Sequence, residues 1–515
     1  MQADETTCLL FTQQTRRSTC FIIPQRVVLS IMGFLAIVNA YTMRICLSMA
    51  ITEMVVKRNL TSDGDGSHLD QGVCPASDES SGGSSSNGGT FEWDEQLQGI
   101  ILGAFFWGYV ITHIPGGILS EKFGGKYTLG LGILSTAIFT IITPVVINWG
   151  GAPWLIALRF LEGLGEGTTF PALSALLAAW VPLKERSKLG SFVFGGGQVG
   201  TIFGQFVSGY LISYYGTWES VFYFFGIIAI IWFLIFVLIC YKDPESHPFI
   251  KDSEKEYLRQ EMGALERPNL PPTPWKAIFT CVPMMALVCA QIGHDFGFYI
   301  MATDLPKYMS DVLQFSIKEN GLYSALPYLF MWVFSVGMGF IADWMIVKGW
   351  INVTNTRKLY TTIASVGPAC FMVAASYAGC NRILVVILFT IAMATMGGFY
   401  PGMKVNALDL SPNYAGTLMA VTNGIGALTG ILGPFLVGVL TPDASLYQWR
   451  IVFWIAFGVF NVTNVVYIIW ASGEIQPFNN PELMKKLNDS EANQQNPINT
   501  IEELKRDNLK QIDNK

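Results

Sequence analysis

This 515-residue sequence predicts an all-α membrane protein, with twelve transmembrane helices in two pseudo-symmetric six-helix bundles. Three observations carry that prediction: the composition, the spacing of apolar stretches and an internal repeat. Hydrophobic side chains make up 51% of the chain and charged ones only 14%, with a mean hydropathy of +0.40. A soluble chain is about 25% charged. Such a composition excludes a disordered chain, a collagen and an ordinary soluble enzyme, and points to a protein with lipid as most of its solvent. A formal net charge of −6 gives nucleic acid no reason to bind.

A helix needs about 20 apolar residues to cross a bilayer. Twelve stretches qualify, numbered here as spans 1 to 12: 26–50, 97–119, 127–148, 153–180, 189–214, 218–241, 277–303, 319–346, 359–379, 383–408, 415–440 and 450–472. The first is too long for a cleaved signal peptide and no clean small-x-small site follows it. Lys and Arg set the orientation, because positive loops stay cytoplasmic. With both termini inside, 23 of the 32 basic residues fall in inner segments, six in outer loops (Lys57, Arg58, Lys307, Lys318, Arg382, Arg450) and three within spans (Arg44, Arg159, Lys404). The expected organisation is a cytoplasmic tail 1–25, a first bundle 26–241 with an outer loop 57–94, a cytoplasmic linker 242–276, a second bundle 277–472 and a cytoplasmic tail 473–515.

The outer loop carries Asn59-Leu60-Thr61, a glycosylation acceptor, and a Ser/Gly-rich low-complexity run. The same acceptor pattern at Asn352, Asn461 and Asn488 falls on the cytoplasmic side or inside the membrane and is read as chance. Nine cysteines stand apart with no C-x-x-C pair, which predicts neither a zinc site nor a disulfide framework. Gly195-Gly196-Gly197-Gln198-Val199-Gly200 fits G-x-G-x-x-G but lies inside span 5 with no strand before it, so close helix packing explains it better than a dinucleotide. No cofactor and no metal are expected. No phosphate-binding P-loop is present, so an ATP-driven pump is not expected either.

The halves repeat. Gly117-Ile118-Leu119-Ser120-Glu121 ends span 2 and Gly339-Phe340-Ile341-Ala342-Asp343 ends span 8. Gly190, Gly200 and Gly204 map in order onto Gly416, Gly426 and Gly430, and Trp218-x-x-Val221-Phe222 onto Trp449-x-x-Val452-Phe453. Two similar bundles around one central cavity is how many alternating-access carriers are built.

Several motifs resemble a known family. Gly116-Gly117-Ile118-Leu119-Ser120-Glu121-Lys122-Phe123-Gly124-Gly125-Lys126 is similar to the loop 2–3 signature of the major facilitator superfamily. Arg159-Phe160-Leu161-Glu162-Gly163-Leu164-Gly165-Glu166-Gly167-Thr168-Thr169-Phe170-Pro171 resembles the fourth span of sialin, the vesicular glutamate transporters and the type I phosphate cotransporters, the anion:cation symporter group. Phe105-Phe106-Trp107-Gly108-Tyr109 and Asn406-Ala407-Leu408-Asp409-Leu410-Ser411-Pro412 are similar to the same group. The likeness runs from about residue 26 to 472 and looks strongest to the insect members named as inorganic phosphate cotransporters. It implies the major facilitator fold and transport of anions, not an enzyme.

The costly residues are the informative ones. A charge at a helix centre costs about 2.5–3.5 kcal/mol on insertion scales, so it needs a partner, a wet cavity or a function. On span 4, Arg159, Glu162 and Glu166 stand at i, i+3 and i+7, on one helical face. An internal salt bridge accounts for Arg159 with Glu162. It leaves Glu166 over, and a lone carboxylate in low dielectric takes up a proton. Glu166 is therefore the expected proton-coupling group and Glu162 the partner of Arg159; the resemblance implies a role for all three in substrate and proton coupling. Arg44 shares a polar stripe of span 1 with Asn39 and Tyr41, and the resemblance implies an anion-binding arginine there. Two guanidiniums in one cavity select a carboxylate or phosphate, because their forked donors match those anions.

Lys404 in span 10 is either a third substrate cation or a lysine that snorkels to the interface. His294 in span 7 stands where the vesicular glutamate transporters have arginine, and Tyr299 is a candidate cavity-lining residue. His113 in span 2 reads as packing. At the N-terminus Glu5, Leu9 and Leu10 form an acidic dileucine pattern that sorting adaptors read, as in sialin. The sequence thus predicts a monomeric carrier of a small anionic solute, coupled to H+ with Na+ as runner-up, in lysosomal, endosomal or plasma membrane. A non-transporting receptor on the same fold is the other alternative, against which the retained charges of span 4 count.

Overall fold

The structure, a computed structural model, describes residues 23–56, 74, 89–182, 189–190, 192–263, 273–411 and 414–479. Asn59 and the Glu5, Leu9, Leu10 pattern lie outside the described residues. Helices occupy every one of the twelve predicted stretches. By length and hydropathy alone, nine candidate spans qualify among the described residues. One of the nine, Gly125–Leu177, covers two predicted spans: the helix Gly125–Glu166 changes direction at Gly151, whose φ of 65° only glycine adopts at little cost, between Pro144 and Pro153. The fourth stretch then continues as Thr169–Trp180.

Local chemistry fixes the helix starts. Asp94 accepts from the Leu97 N–H at 2.8 Å to cap span 2 (Glu95–Phe123). Ser316 with Glu319, and Ser445 with Gln448, form capping boxes on span 8 (Ile317–Val347) and span 12 (Leu446–Trp470). Asn352, one of the chance acceptor matches, caps span 9. Span 1 (Gln25–Met54) starts after Pro24, and its first amides, of Gln25 and Arg26, donate to Glu254 of a short linker helix, Asp252–Gly263. A carboxylate there suits both the orphan donors and the helix dipole.

The interior is mostly apolar, as in a soluble protein, but the outer surface is apolar as well and several polar side chains are enclosed. Leu131, Val145, Leu234, Leu238 and Val462 are exposed, whereas Thr136, Gln205, Asn320 and Asn406 are buried. An apolar outer surface, with the polar side chains of the spans kept from it, is the pattern lipid favours.

Span 2 packs on span 11, span 5 on span 8 and span 1 on span 7, so the two halves meet through matching pairs. At the end that carries Val55 and Asp94 they touch through small residues. Gly209 and Gly321 bring spans 5 and 8 to backbone contact, and Gly99 and Gly438 do the same for spans 2 and 11. There Glu95, at the start of span 2, forms an ion pair with Lys307, at the end of span 7. Lys307, expected in an outer loop, is therefore buried inside a cross-half contact.

One expectation is overturned at the same end. Cys74 is disulfide-bonded to Cys380, with Cα atoms 5.4 Å apart and 306 residues between them in sequence. The Cys74 N–H donates to the Val312 carbonyl at 3.0 Å, and its side chain packs in the core of the second half. A pairing over that separation leaves no spacing signal, which is why the isolated cysteines gave no sign of it.

Candidate substrate site

Span 1 delivers Arg44 to the middle of the molecule. Asn39, its companion in the polar stripe, turns its amide onto its own helix at Leu35, so only Tyr41 and Arg44 are left to face the interior. The Arg44 guanidinium sits among rings, 4.6 Å from the Tyr41 centroid and 5.0 Å from those of Phe105 and Tyr109. Those faces partly offset its charge. Its Nη2 donates to Glu166 Oε1 in a buried ion pair.

Span 4 builds the rest. Arg159 Nη1 donates to Glu162 Oε2 at 2.5 Å, and Thr143 donates to the other oxygen of Glu162 at 3.3 Å. The Nη2 of Arg159 donates to the Arg44 backbone carbonyl at 3.1 Å. All four charged side chains are buried: Arg44 is 7% exposed, Arg159 3%, and each glutamate 1%. The pairing of Glu162 with Arg159 is as the spacing predicts. Glu166 differs. It is not the lone carboxylate, because span 1 supplies Arg44 from 122 residues away. Only its second oxygen lacks a partner.

Arg44 lines a cavity between the halves with room for about one water molecule. Tyr41, Phe106 and Thr201 line it from the first half, and Phe298, Tyr299 and Thr303 from the second. Tyr299 meets Phe106 edge-on at 4.6 Å, so the closed site is held by aromatic contact across the halves. Arg159 does not line this cavity; it reaches it only through the carbonyl of Arg44. The arrangement can present one guanidinium to a small anion once Glu166 lets go.

The second half contributes a separate polar group. Lys404 does not snorkel: its ammonium donates to Asn423 Oδ1 of span 11 at 2.6 Å and lies 5.3 Å from the Phe399 ring. His294 lies flat on Phe399 at 3.7 Å and does not line the cavity. His113 packs beside Tyr109. Sequence reasoning passed over Asp295. This buried carboxylate of span 7 accepts from Gln291 Nε2 at 2.8 and 2.9 Å and from nothing else among the described residues. An acidic residue inside an apolar stretch was the signal, and its neighbour His294 drew the attention instead.

An almost wholly helical fold with nine candidate membrane spans among the described residues, enclosing a cavity lined by Arg44, defines a membrane protein, and the comparisons give its class. The sequence matches the description Major Facilitator Superfamily over residues 29–434, and the chain belongs to that superfamily, whose members here are transporters and not enzymes. Within it the chain falls in the group of sialin, the vesicular glutamate transporters and the type I phosphate cotransporters. It is 42% identical to a Drosophila melanogaster protein named "Putative inorganic phosphate cotransporter", over 91% of this chain and 88% of that protein. It is 39% identical to human sialin, over 87% and 89% of the two chains, and 33% identical to bovine vesicular glutamate transporter 1, over 91% and 80%. Among solved structures, an inward-facing, occupied bacterial homologue of the lysosomal transporter Spinster superposes with a TM-score of 0.65 at 14% identity, covering 87% of this chain and 97% of that one. A D-xylose–proton symporter gives 0.63 at 14%, covering 88% and 99%. These structural likenesses speak for the fold alone.

Proposed function

We propose that this protein is a secondary active transporter of organic or inorganic anions, coupled to protons and working by alternating access. The observation that carries the reading is the Arg44–Glu166 pair at the wall of a cavity shared by both halves. In the empty state Glu166 occupies the guanidinium that an anion needs. Protonating Glu166 removes that competitor and one negative charge, so the anion binds better with the proton than without it. Deprotonation on the other side returns Arg44 to Glu166 and expels the anion. That mutual dependence is the linkage a symporter requires. Arg159, itself held by Glu162, positions Arg44 by donating to its backbone carbonyl.

The relatives' names support an anionic solute: phosphate, sialic acid and glutamate carriers are all close in sequence. Two features support placing both termini in the cytoplasm. One is the asymmetry of basic residues. The other is the Cys74–Cys380 bond, which lies at the end assigned to the outer side, where an oxidising medium keeps disulfides. On this reading the halves 26–241 and 277–472 rock about the cavity, and the membrane is lysosomal, endosomal or plasma membrane.

The test is uptake into proteoliposomes of labelled phosphate, N-acetylneuraminate and glutamate, with and without an inward proton gradient or sodium. Accumulation driven by the proton gradient is expected. Stimulation by sodium with indifference to pH replaces the proton by sodium, and failure to carry any of the anions favours a receptor.

A further inference from the structure

Among the described residues two buried carboxyls of span 7 have no ion pair, Asp304, which accepts from Thr303, and Asp295, and only Asp295 has a buried cation of the membrane interior, Lys404, acting on it. Glu162 is paired with Arg159, and Glu166 with Arg44. Asp295 is buried too, though less completely, at 8% exposed against 1% for each glutamate, and it forms no ion pair among the described residues; one amide, Gln291 Nε2, serves both its oxygens. Span 11 brings the backbone of Gly426 against it, where a Cβ would strike its carboxylate. Span 12 offers nothing that titrates at this level: Thr463 packs at Gly293 and Phe460 at Gly297. Span 10 contributes Tyr400 and the one cation whose charge reaches Asp295, that of Lys404. Span 1 contributes Tyr41, and span 7 itself Tyr299 and His294.

Asp295 does not itself line the cavity; it stands one helical turn before Tyr299, a lining residue, on the same face of span 7 (Val282–Lys307). Lys404 lies beyond ion-pair distance of Asp295 and hands its proton donor to Asn423, a neutral group. Asp295 and Lys404 of the second half are thus a carboxyl and a cation near one another without an ion pair, whereas Arg44 and Glu166 of the first half are paired directly. A buried carboxylate without an ion pair is the group that burial drives to take a proton.

We infer that Asp295 is a second proton-carrying group of the transport cycle: charged, it balances Lys404; neutral, it leaves the Lys404 ammonium to the transported anion. The step is a simple protonation. Asp295 gains a proton from water on one side of the membrane, becomes a carboxylic acid still held by Gln291, and returns the proton on the other side with no other bond changed. Lys404 then serves as a second station for the anion after Arg44, on the half that carries span 10. The inference rests on the proton-coupled reading above.

The experiment is to compare wild type, Asp295→Asn and Glu166→Gln in proteoliposomes. Proton entry is followed with a pH-sensitive dye and anion entry with whichever of labelled phosphate, N-acetylneuraminate or glutamate the wild type carries. Asp295→Asn is expected to keep anion exchange and to lose about one proton per anion, so that apparent affinity loses up to about a tenfold change per pH unit in the range where the group titrates. An infrared band of a protonated carboxyl, kept in Glu166→Gln and missing in Asp295→Asn, is the readout that a packing role does not move. An unchanged proton-to-anion ratio in Asp295→Asn, with the wild type proton-coupled, overturns the inference and leaves the proposed function standing. A wild type that moves no protons with its anion overturns both. If Asp295→Asn no longer exchanges anion, Asp295→Glu decides: exchange restored with a displaced pH midpoint supports the role, and exchange not restored marks Asp295 as structural and refutes it.

Discussion

Glu166→Gln tests the core of the mechanism, because it removes one charge while keeping the side chain's volume. In the closed structure Glu166 is the only carboxylate among the described residues on the Arg44 guanidinium, and the anion must take its place. A hydrogen bond to a charged group contributes about 1.5–3 kcal/mol. Relieving the anion of that competition therefore raises its affinity by roughly 10- to 150-fold at most, at 1.4 kcal/mol per factor of ten. The empty protein should suffer, because removing one partner of a buried ion pair costs about 3–5 kcal/mol. Aromatic faces of Tyr41, Phe105 and Tyr109 offset part of that cost. The sign with pH follows from the competition. As pH rises through the titration of Glu166, the carboxylate reclaims Arg44 and wild-type affinity falls; in Glu166→Gln that component of the fall is absent. The assay is anion binding by thermal shift, in detergent, at pH 5.5 and 7.5. The variant should melt earlier without anion, gain more from it than wild type, and bind it at high pH nearly as well as at low pH in respect of this group. Weaker anion binding at both pH values, or a pH dependence equal to that of wild type, would refute the reasoning.

Three further outcomes follow from the structure. Cys380→Ser removes the link between the first loop and the second half and should cost about 2–4 kcal/mol of stability, read as a lower midpoint in a thermal scan; two free thiols at positions 74 and 380 in unreduced, denatured wild type would contradict the bond. Gly163→Ala would set a Cβ on the Phe105 carbonyl oxygen and 2.9 Å from the Tyr109 nitrogen, forcing spans 2 and 4 apart directly beside the Arg44 cage; overpacking of about 1–3 kcal/mol and loss of anion binding are expected, whereas Gly458→Ala, with nothing within 4 Å of the added carbon, should behave as wild type. Lys307→Met breaks the buried cross-half pair with Glu95, at a cost to the closed state of about 3 kcal/mol. Labelling of a cysteine placed at Ala302, in the cavity wall, should then speed up more than tenfold from the side of the first loop, and an unchanged rate would show that the pair does not hold that end shut.

Much of the architecture was legible because lipid imposes a coarse rule: a helix that crosses must be apolar for about 20 residues, and the rule needs no partner to be known. Helix starts were legible in principle too, since Ser316 with Glu319 and Ser445 with Gln448 carry their caps within three residues. The Arg159–Glu162 pair was readable for the same reason, being one helical turn long. Gly151 shows where this kind of reading thins out: the gap between spans 3 and 4 was expected, but not that one glycine in a positive-φ conformation would carry the chain round with helix on both sides.

The sequence by itself determined how many costly charges lie in the membrane, which of them share a helical face, and that a fold of two matched halves would surround them, because cost and periodicity are local properties. Which charge meets which was decided only in three dimensions. Glu166 finds Arg44 on another helix, Cys74 finds Cys380 across 306 residues, Lys404 turns to Asn423 instead of the interface, and Asp295 is left with the amide of Gln291 and no ion pair among the described residues. The reason is physical. Within one helix the backbone fixes the distance between side chains, whereas between helices it is fixed by packing, above all where glycines such as Gly163, Gly209 and Gly321 let one backbone rest on another.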